Sequence, residues 1–312
     1  HFVRIAILNW YVERKYHLVK CKSDGTELPQ KWDGLGQHIA YFLHNNTDVV
    51  VLTAIVGLKE VSVYSIYYYI ASSLNTIVMT CAANMEAIFG ELLARDEKKK
   101  LNDFFDKIEL TLNVFATICF STAICVILPF IKIYTDGVTD AEYQRPLFSV
   151  VILLTQLVTC IRQPYHTLTI AAGHFKKTAW AAYLEAGLNI TLSVLLCYQF
   201  GMLGVVLATL VSILFRMIYY IIYDSKSIIF RSPMYALKRL MITAACVILD
   251  VLIGTKITAM SSNISNYGNW VIIAAICFVV ISLVTISANF IFYPHQMKSV
   301  ATMALRRVQK KR

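Results

Sequence analysis

Eight runs of mostly apolar residues divide this sequence, at 36–57, 62–90, 111–133, 147–171, 178–199, 202–223, 237–256 and 269–293. Each reaches the ~20 residues a helix needs to cross a hydrocarbon layer ~30 Å thick. The expected fold class is therefore all-α, a polytopic transmembrane helix bundle of about eight spans. Only 15% of the residues are charged, where a soluble domain of this length carries about 25%. The first run is the most demanding to place, because "FLHNNTDVVVLTAIVG" puts His44, Asn45, Asn46 and Asp48 at its near end.

The net charge of +10 belongs to topology. With the N-terminus inside and the runs alternating, all but six of the 29 Lys and Arg residues fall on inside segments. The exceptions are Lys59, Lys132, Arg145 and Lys256 outside, and Arg162 and Arg216 within runs. Such asymmetry is the positive-inside pattern. It requires the first run to cross, because otherwise six N-terminal cations would lie outside. The basic surplus reads as contact with membrane lipids of anionic character, with no nucleic acid as partner. Both ends of the segment are then expected to be cytosolic.

Tyr64, Tyr67, Tyr68 and Tyr69, Tyr219, Tyr220 and Tyr223, and Trp180 and Trp270 cluster near run ends, where interfacial aromatic belts are expected. Seven of the eight cysteines lie in apolar runs and none forms CxxC, so they read as small apolar residues rather than a disulfide frame or metal site. The run 62–90 is too long for one bilayer and is expected to extend into the cytosol.

Ionisable groups inside a bilayer cost at least ~2.5–3.5 kcal/mol and face a bundle interior or a wet cavity. Gln37, Tyr41, His44 and Asp48 fall on one helical face, as do Thr155, Thr159, Arg162, His166 and Thr169. Thr178, Ala182, Glu185, Asn189 and Ser193 make a third stripe, and Asn75 with Glu86 a fourth. Together these stripes imply a hydrated cavity between helices. Pro164 lies in mid-run and removes a backbone hydrogen bond. It reads either as a plain kink or as a broken helix at a cavity. Arg216 reads as a cation that snorkels to the headgroups, Asp250 as structural and Glu86 as solvated. Asp48, Glu185 and Arg162 read either as an ion pair joining helices or as contacts for a substrate or coupling ion.

No HExxH, GxSxG, P-loop or paired-cysteine metal site occurs. His44 with Asp48 forms a single i, i+4 pair that a membrane acyltransferase could use as base and orienter. The reading from the residues is a transporter and not an enzyme.

"HIAYFLHNNTDVVVLTAIVGLKEVSVYSIYYYI", "IRQPYHTLTIAAGHFKKT", "EAGLNITLS" and "FGMLGVVLATLVSILFRMIYY" follow one another in the sequence. In that order they resemble the later helices of bacterial polysaccharide flippases, the O-antigen and capsule repeat-unit translocases of the multidrug/oligosaccharidyl-lipid/polysaccharide exporter superfamily. The resemblance spans most of 1–223 and consists of scattered positions. It implies the second lobe of a two-lobe, MATE-like transporter plus two extra helices. Residues 1–35 would be the end of a preceding helix and a cytosolic linker, 36–223 a six-helix lobe, and 224–312 two additional helices and a basic tail. The opening "HFVRIAILNWYVERK" and the absence of an initial Met lead to the expectation that an N-terminal lobe is missing and is a partner of this segment.

The resemblance further implies a lipid-linked oligosaccharide, carried on undecaprenyl pyrophosphate, as substrate in the bacterial cytoplasmic membrane. Substrate contact is expected at Arg162, Asn45, Asn75, Gln163 and Asn189. Coupling or cavity roles are expected at Asp48, Glu185, His44 and His166, with Na⁺ or H⁺ as coupling ion and no other cofactor. The alternatives are a drug/cation antiporter or a peptidoglycan-precursor flippase of the same superfamily, and an integral membrane acyltransferase.

Overall fold

The computed structural model describes residues 2–16, 31–260 and 266–309. Every regular element among them is a helix. In order they are α1 (Phe2–Tyr16), α2 (Lys31–Ile55), α3 (Leu58–Thr80), α4 (Met85–Ala94), α5 (Lys98–Tyr134), α6 (Pro146–Ala171), α7 (Phe175–Phe200), α8 (Met202–Ser227), α9 (Pro233–Met260), α10 (Tyr267–Phe292) and α11 (Pro294–Gln309). Helices α5 to α10 are each long and apolar enough to cross a membrane, and α3 with α4 makes a seventh span if the bent pair is counted as one. The chain is a multi-pass, all-α membrane bundle.

Of the eight expected runs the second needs correcting, and the first is described only in part. Helix α2 is continuous over 25 residues; among the described residues its apolar stretch is Asn46–Ile55, and the helix passes from Gly36, beside Tyr183, to the turn at Val56, which lines one groove with Phe200. It lies mainly along α7, where Ala40 packs on Ala182 and Ala186. Small residues at that seam let the two backbones approach closely. The second run is not one continuous helix. It breaks at Cys81–Asn84, and α4 leaves α3 at 40°. Asn84 takes the left-handed conformation there (φ 69°), which Asn tolerates better than most residues. The ring of Phe89 in α4 then packs against Phe104 and Phe105 of α5. The bend takes Asn75 and Glu86 off a common face, and Glu86 is exposed.

Of the two readings of Pro164, a plain kink or a broken helix, the broken helix is not found, since α6 runs unbroken through it. The discontinuous helix of this bundle is α3–α4.

Two ends of the bundle are distinct. At one, Glu60 beside the α2–α3 turn pairs with Arg145 at 2.9 Å, and Tyr67 donates to the Tyr143 carbonyl at 2.7 Å. At the other, the α4–α5, α6–α7 and α8–α9 connections surround a single groove and carry Lys98, Lys176, Lys177 and Lys226 nearby. This is the basic end. With a rise of ~1.5 Å per residue, the 37-residue α5 overshoots a hydrocarbon core, and its first turns stand clear at the basic end.

There Glu109 of α5 accepts from Arg239 of α9 at 2.6 Å and from Arg231 of the α8–α9 connection at 2.9 Å. Tyr165 of α6 donates to its other oxygen, and Asp106 pairs with Arg231. Burial opposes the charge on Arg231, but Glu109, Tyr165 and Asp106 outweigh it and hold the guanidinium protonated more firmly than a free one. Arg239 also donates to Gln296 of α11 at 2.9 Å. One carboxylate thus ties α9 and its neighbours to the bundle.

Asp250 of α9 is fully buried and accepts from Thr285 of α10 at 2.6 Å, in keeping with a structural role. Seven cysteines have free thiols, with Cys81 exposed; Cys21 lies outside the described residues.

The α7–α8 hairpin closes tightly at Gly204. A Cβ there would stand 2.1 Å from the Leu196 carbonyl oxygen and 2.4 Å from its carbon. Those atoms are backbone and cannot rotate aside. Gly204→Val is expected to cost about 1–3 kcal/mol or more, read as a lower Tm of the detergent-purified protein. An unchanged Tm would contradict this helix spacing.

Candidate functional site: a charged cavity at mid-bundle

A cavity of about 200 Å³ opens between α2, α3, α6 and α8. Asp48 comes from α2. Helix α3 contributes Tyr64, Tyr68, Ser72, Asn75 and Thr76, α6 contributes Thr155, Gln156, Thr159 and Arg162, and α8 contributes Thr209. Apolar lining comes from Ile152, Val206 and Ile213. A wall this polar inside membrane helices is one that lipid would not solvate.

At the end of the cavity nearer the basic end sits an ion cluster. Arg162 Nη1 donates to Glu185 Oε1 at 2.6 Å, and Arg216 Nη1 donates to Glu185 Oε2 at 2.5 Å. All three side chains are about nine-tenths buried or more. Arg162, Glu185 and Arg216 each fall near the middle of their helices, so the cluster lies at mid-depth. Arg216 also donates to the Tyr220 hydroxyl at 2.6 Å and lies over that ring, 5.0 Å from its centroid. His166, expected at the cavity, is not among its lining residues; its ring centroid lies 5.6 Å from that of Tyr220. The Arg162 Nε is buried without a partner among the described residues.

Toward the opposite end, Asp48 accepts from the Tyr64 hydroxyl at 2.9 Å and from Thr209 Oγ1 at 3.0 Å. Asn189 donates to that same Thr209 oxygen at 2.9 Å, so an amide–hydroxyl–carboxylate relay runs from α7 through α8 to α2. Asp48 has no cationic partner among the described residues. Asn189 is one turn from Glu185 on α7, and Thr209 two turns from Arg216 on α8. The carboxylate therefore stands ~6–10 Å along the bundle from the arginine cluster.

Of the residues expected from sequence, Asp48, Asn75 and Arg162 line the cavity. Asn75 donates to Gln156 at 2.9 Å across it. Glu185 and Asn189 stand behind the wall and hold it through Arg162 and Thr209. Gln163 is not on the lining; its amide donates to Thr167 at 3.2 Å on its own helix. His44, Asn45, Gln37 and Tyr41 belong to α2, and their side chains lie outside the described residues.

Two readings are corrected. Arg216 does not snorkel, because it is buried at mid-helix on Glu185. Tyr64, Tyr67 and Tyr220 are buried and hydrogen-bonded rather than members of an interfacial belt, whereas Tyr69 is exposed. The missed residues are Arg216, Thr209, Tyr64 and Gln156. A signal existed for α8, where Thr209, Ser212, Arg216 and Tyr220 recur at spacings of three, four and four, one polar face.

No family model matches the chain, and no curated protein matches it. Among solved structures it is similar to one described as an outward-facing conformation of a multidrug resistance MATE family transporter of the MOP superfamily. The similarity covers 92% of this chain and 72% of that one, at 14% identity and a TM-score of 0.47.

Proposed function

We propose that this chain is part of a flippase that moves a lipid-linked oligosaccharide across the bacterial cytoplasmic membrane in polysaccharide synthesis. The observation that carries the reading is the polar cavity with a buried guanidinium at mid-depth. Sugars and pyrophosphate cannot enter hydrocarbon, so their passage needs such a wall. Arg162 supplies a planar fork for an anionic group, and Asn75, Gln156, Ser72 and Thr159 supply hydrogen bonds for hydroxyls. Asp48, with hydroxyls around it and no cationic partner among the described residues, is the proposed site of a coupling Na⁺ or H⁺. A second six-helix lobe is proposed to complete the cavity. The exposed face of α3, with Tyr69, Ser73, Thr76 and Thr80, is more polar than lipid contact favours. With the basic end cytosolic, the inward side of the cavity is the arginine side.

The test follows a fluorescent pyrophosphate-linked oligosaccharide across sealed vesicles that carry the protein in full-length form. Arg162→Ala and Asp48→Asn are each expected to slow translocation about ten-fold or more, and Asp48→Asn to abolish dependence on the ion gradient. Unchanged rates in both variants would refute the cavity reading.

A second reading has its own observation. Asp48 is reached by Tyr64, which stacks on Tyr68 at 5.7 Å between centroids, a carboxylate beside aromatic rings that suits an organic cation. A drug/cation antiporter would then move such a cation in the same vesicles while leaving the oligosaccharide in place.

A further inference from the structure

The ion cluster has more arginine than it needs for a salt bridge. A single carboxylate would neutralise Arg162 and leave it a poor ligand for an anion. Glu185 instead divides its two oxygens between Arg162 and Arg216, so among the described residues these two guanidiniums and one carboxylate leave one positive charge. Of the two arginines, only Arg162 lines the cavity. Arg216 faces away, with its second amino group on the Tyr220 hydroxyl and its face on the Tyr220 ring. The surplus charge is thus delivered to the cavity through Arg162, the one of the two that lines it; the Nε atoms of both arginines are without a partner among the described residues.

We propose that Arg216 is a positioning and charge-setting residue for the cavity: by holding Glu185 from behind, it keeps Arg162 cationic in effect and makes the cavity selective for an anionic group. This deepens the flippase reading and rests on it for the identity of the transported molecule, but the anion preference itself is a property of the cluster. The charge count decides the outcome of each substitution. Removing Arg216 leaves Glu185 to cancel Arg162. Removing Arg216 and the charge of Glu185 together restores one net positive charge at Arg162. At the short separations seen here, a whole buried charge outweighs the loss of one hydrogen bond.

The experiment measures equilibrium binding of radiolabelled inorganic pyrophosphate to the full-length protein in nanodiscs. Wild type is compared with Arg216→Gln, Arg216→Lys and the double variant Glu185→Gln/Arg216→Gln, each checked for a sharp thermal transition. Arg216→Gln is expected to weaken binding about ten-fold or more. Arg216→Lys, which keeps the charge and loses the fork, should stay within about three-fold of wild type. The double variant should recover most of the loss. A purely structural Arg216 would instead make the double variant worse than either single change, and that result would overturn the proposal. Failure of the wild type to bind pyrophosphate would overturn it as well. If this binding pattern holds while the oligosaccharide does not cross vesicles, the flippase reading falls and the charge-setting role of Arg216 stands.

Discussion

Replacing Glu109 by Leu is expected to cause a large stability loss in this chain. Glu109 accepts from Arg239, Arg231 and Tyr165, and only 2% of its surface is exposed. Arg239 is itself 1% exposed, with its guanidinium 5.0 Å from the Tyr293 ring centroid and 5.2 Å from that of Tyr235. Leucine would leave Arg239 buried without a carboxylate, and Arg231 with Asp106 alone. Breaking a buried pair by removing one partner costs about 3–5 kcal/mol. The cost falls on a junction, because Glu109 joins α5 to α9 and, through Arg239 and Gln296, to α11. Glu109→Leu should therefore lower the Tm and also open the α8–α9 connection to trypsin at Arg231. A variant with wild-type Tm and no new cleavage would show that the carboxylate is not what holds α9 in place.

The second large effect is expected at Glu185. Glu185→Leu leaves Arg162 and Arg216 without their shared carboxylate at mid-depth, Arg162 with only the cavity to solvate it and Arg216 with only Tyr220. The expected cost is again about 3–5 kcal/mol. A second substitution separates charge from shape. If the loss comes from two buried unpaired cations, adding Arg216→Met to Glu185→Leu removes one of them and should recover part of the stability, a favourable coupling in a double-mutant cycle. Strict additivity of the two changes would argue that packing, not charge, sets the cost. Buried ion clusters of this kind are often no more stable than a well-packed apolar substitute. That the bundle holds one at the wall of a cavity fits a functional use more readily than a structural one.

Much of the helical plan could be read directly. Six of the runs became single helices that span a bilayer, because ~20 apolar residues have few other stable solutions in or near lipid. The two ends followed from the distribution of Lys and Arg, and the basic connections do gather at one end. Polar periodicity brought Asp48, Asn75 and Arg162 to attention, and all three line the cavity. What failed were inferences about a helix's interruptions and partners. Pro164 left a kink and a break equally open, and α6 is continuous through it. The true break, at Cys81–Asn84, has no proline or glycine to announce it.

The partners of Arg216 and Glu109 were decided only by the tertiary structure. A one-dimensional reading sees Arg216 on α8 and can only ask whether its side chain reaches the headgroups. It cannot see that Glu185, 31 residues earlier, arrives at the same depth on α7. Nor can it see that Glu109 meets an arginine 130 residues further on. Periodicity records which face of a helix is polar, since that depends on residues within a few turns. Which faces meet, and how many charges each meeting leaves uncancelled, depends on how the helices pack. The sequence by itself determined a polytopic helical bundle with polar faces and a basic end. Only the fold decided that two arginines would share one carboxylate, and so gave the cavity its charge.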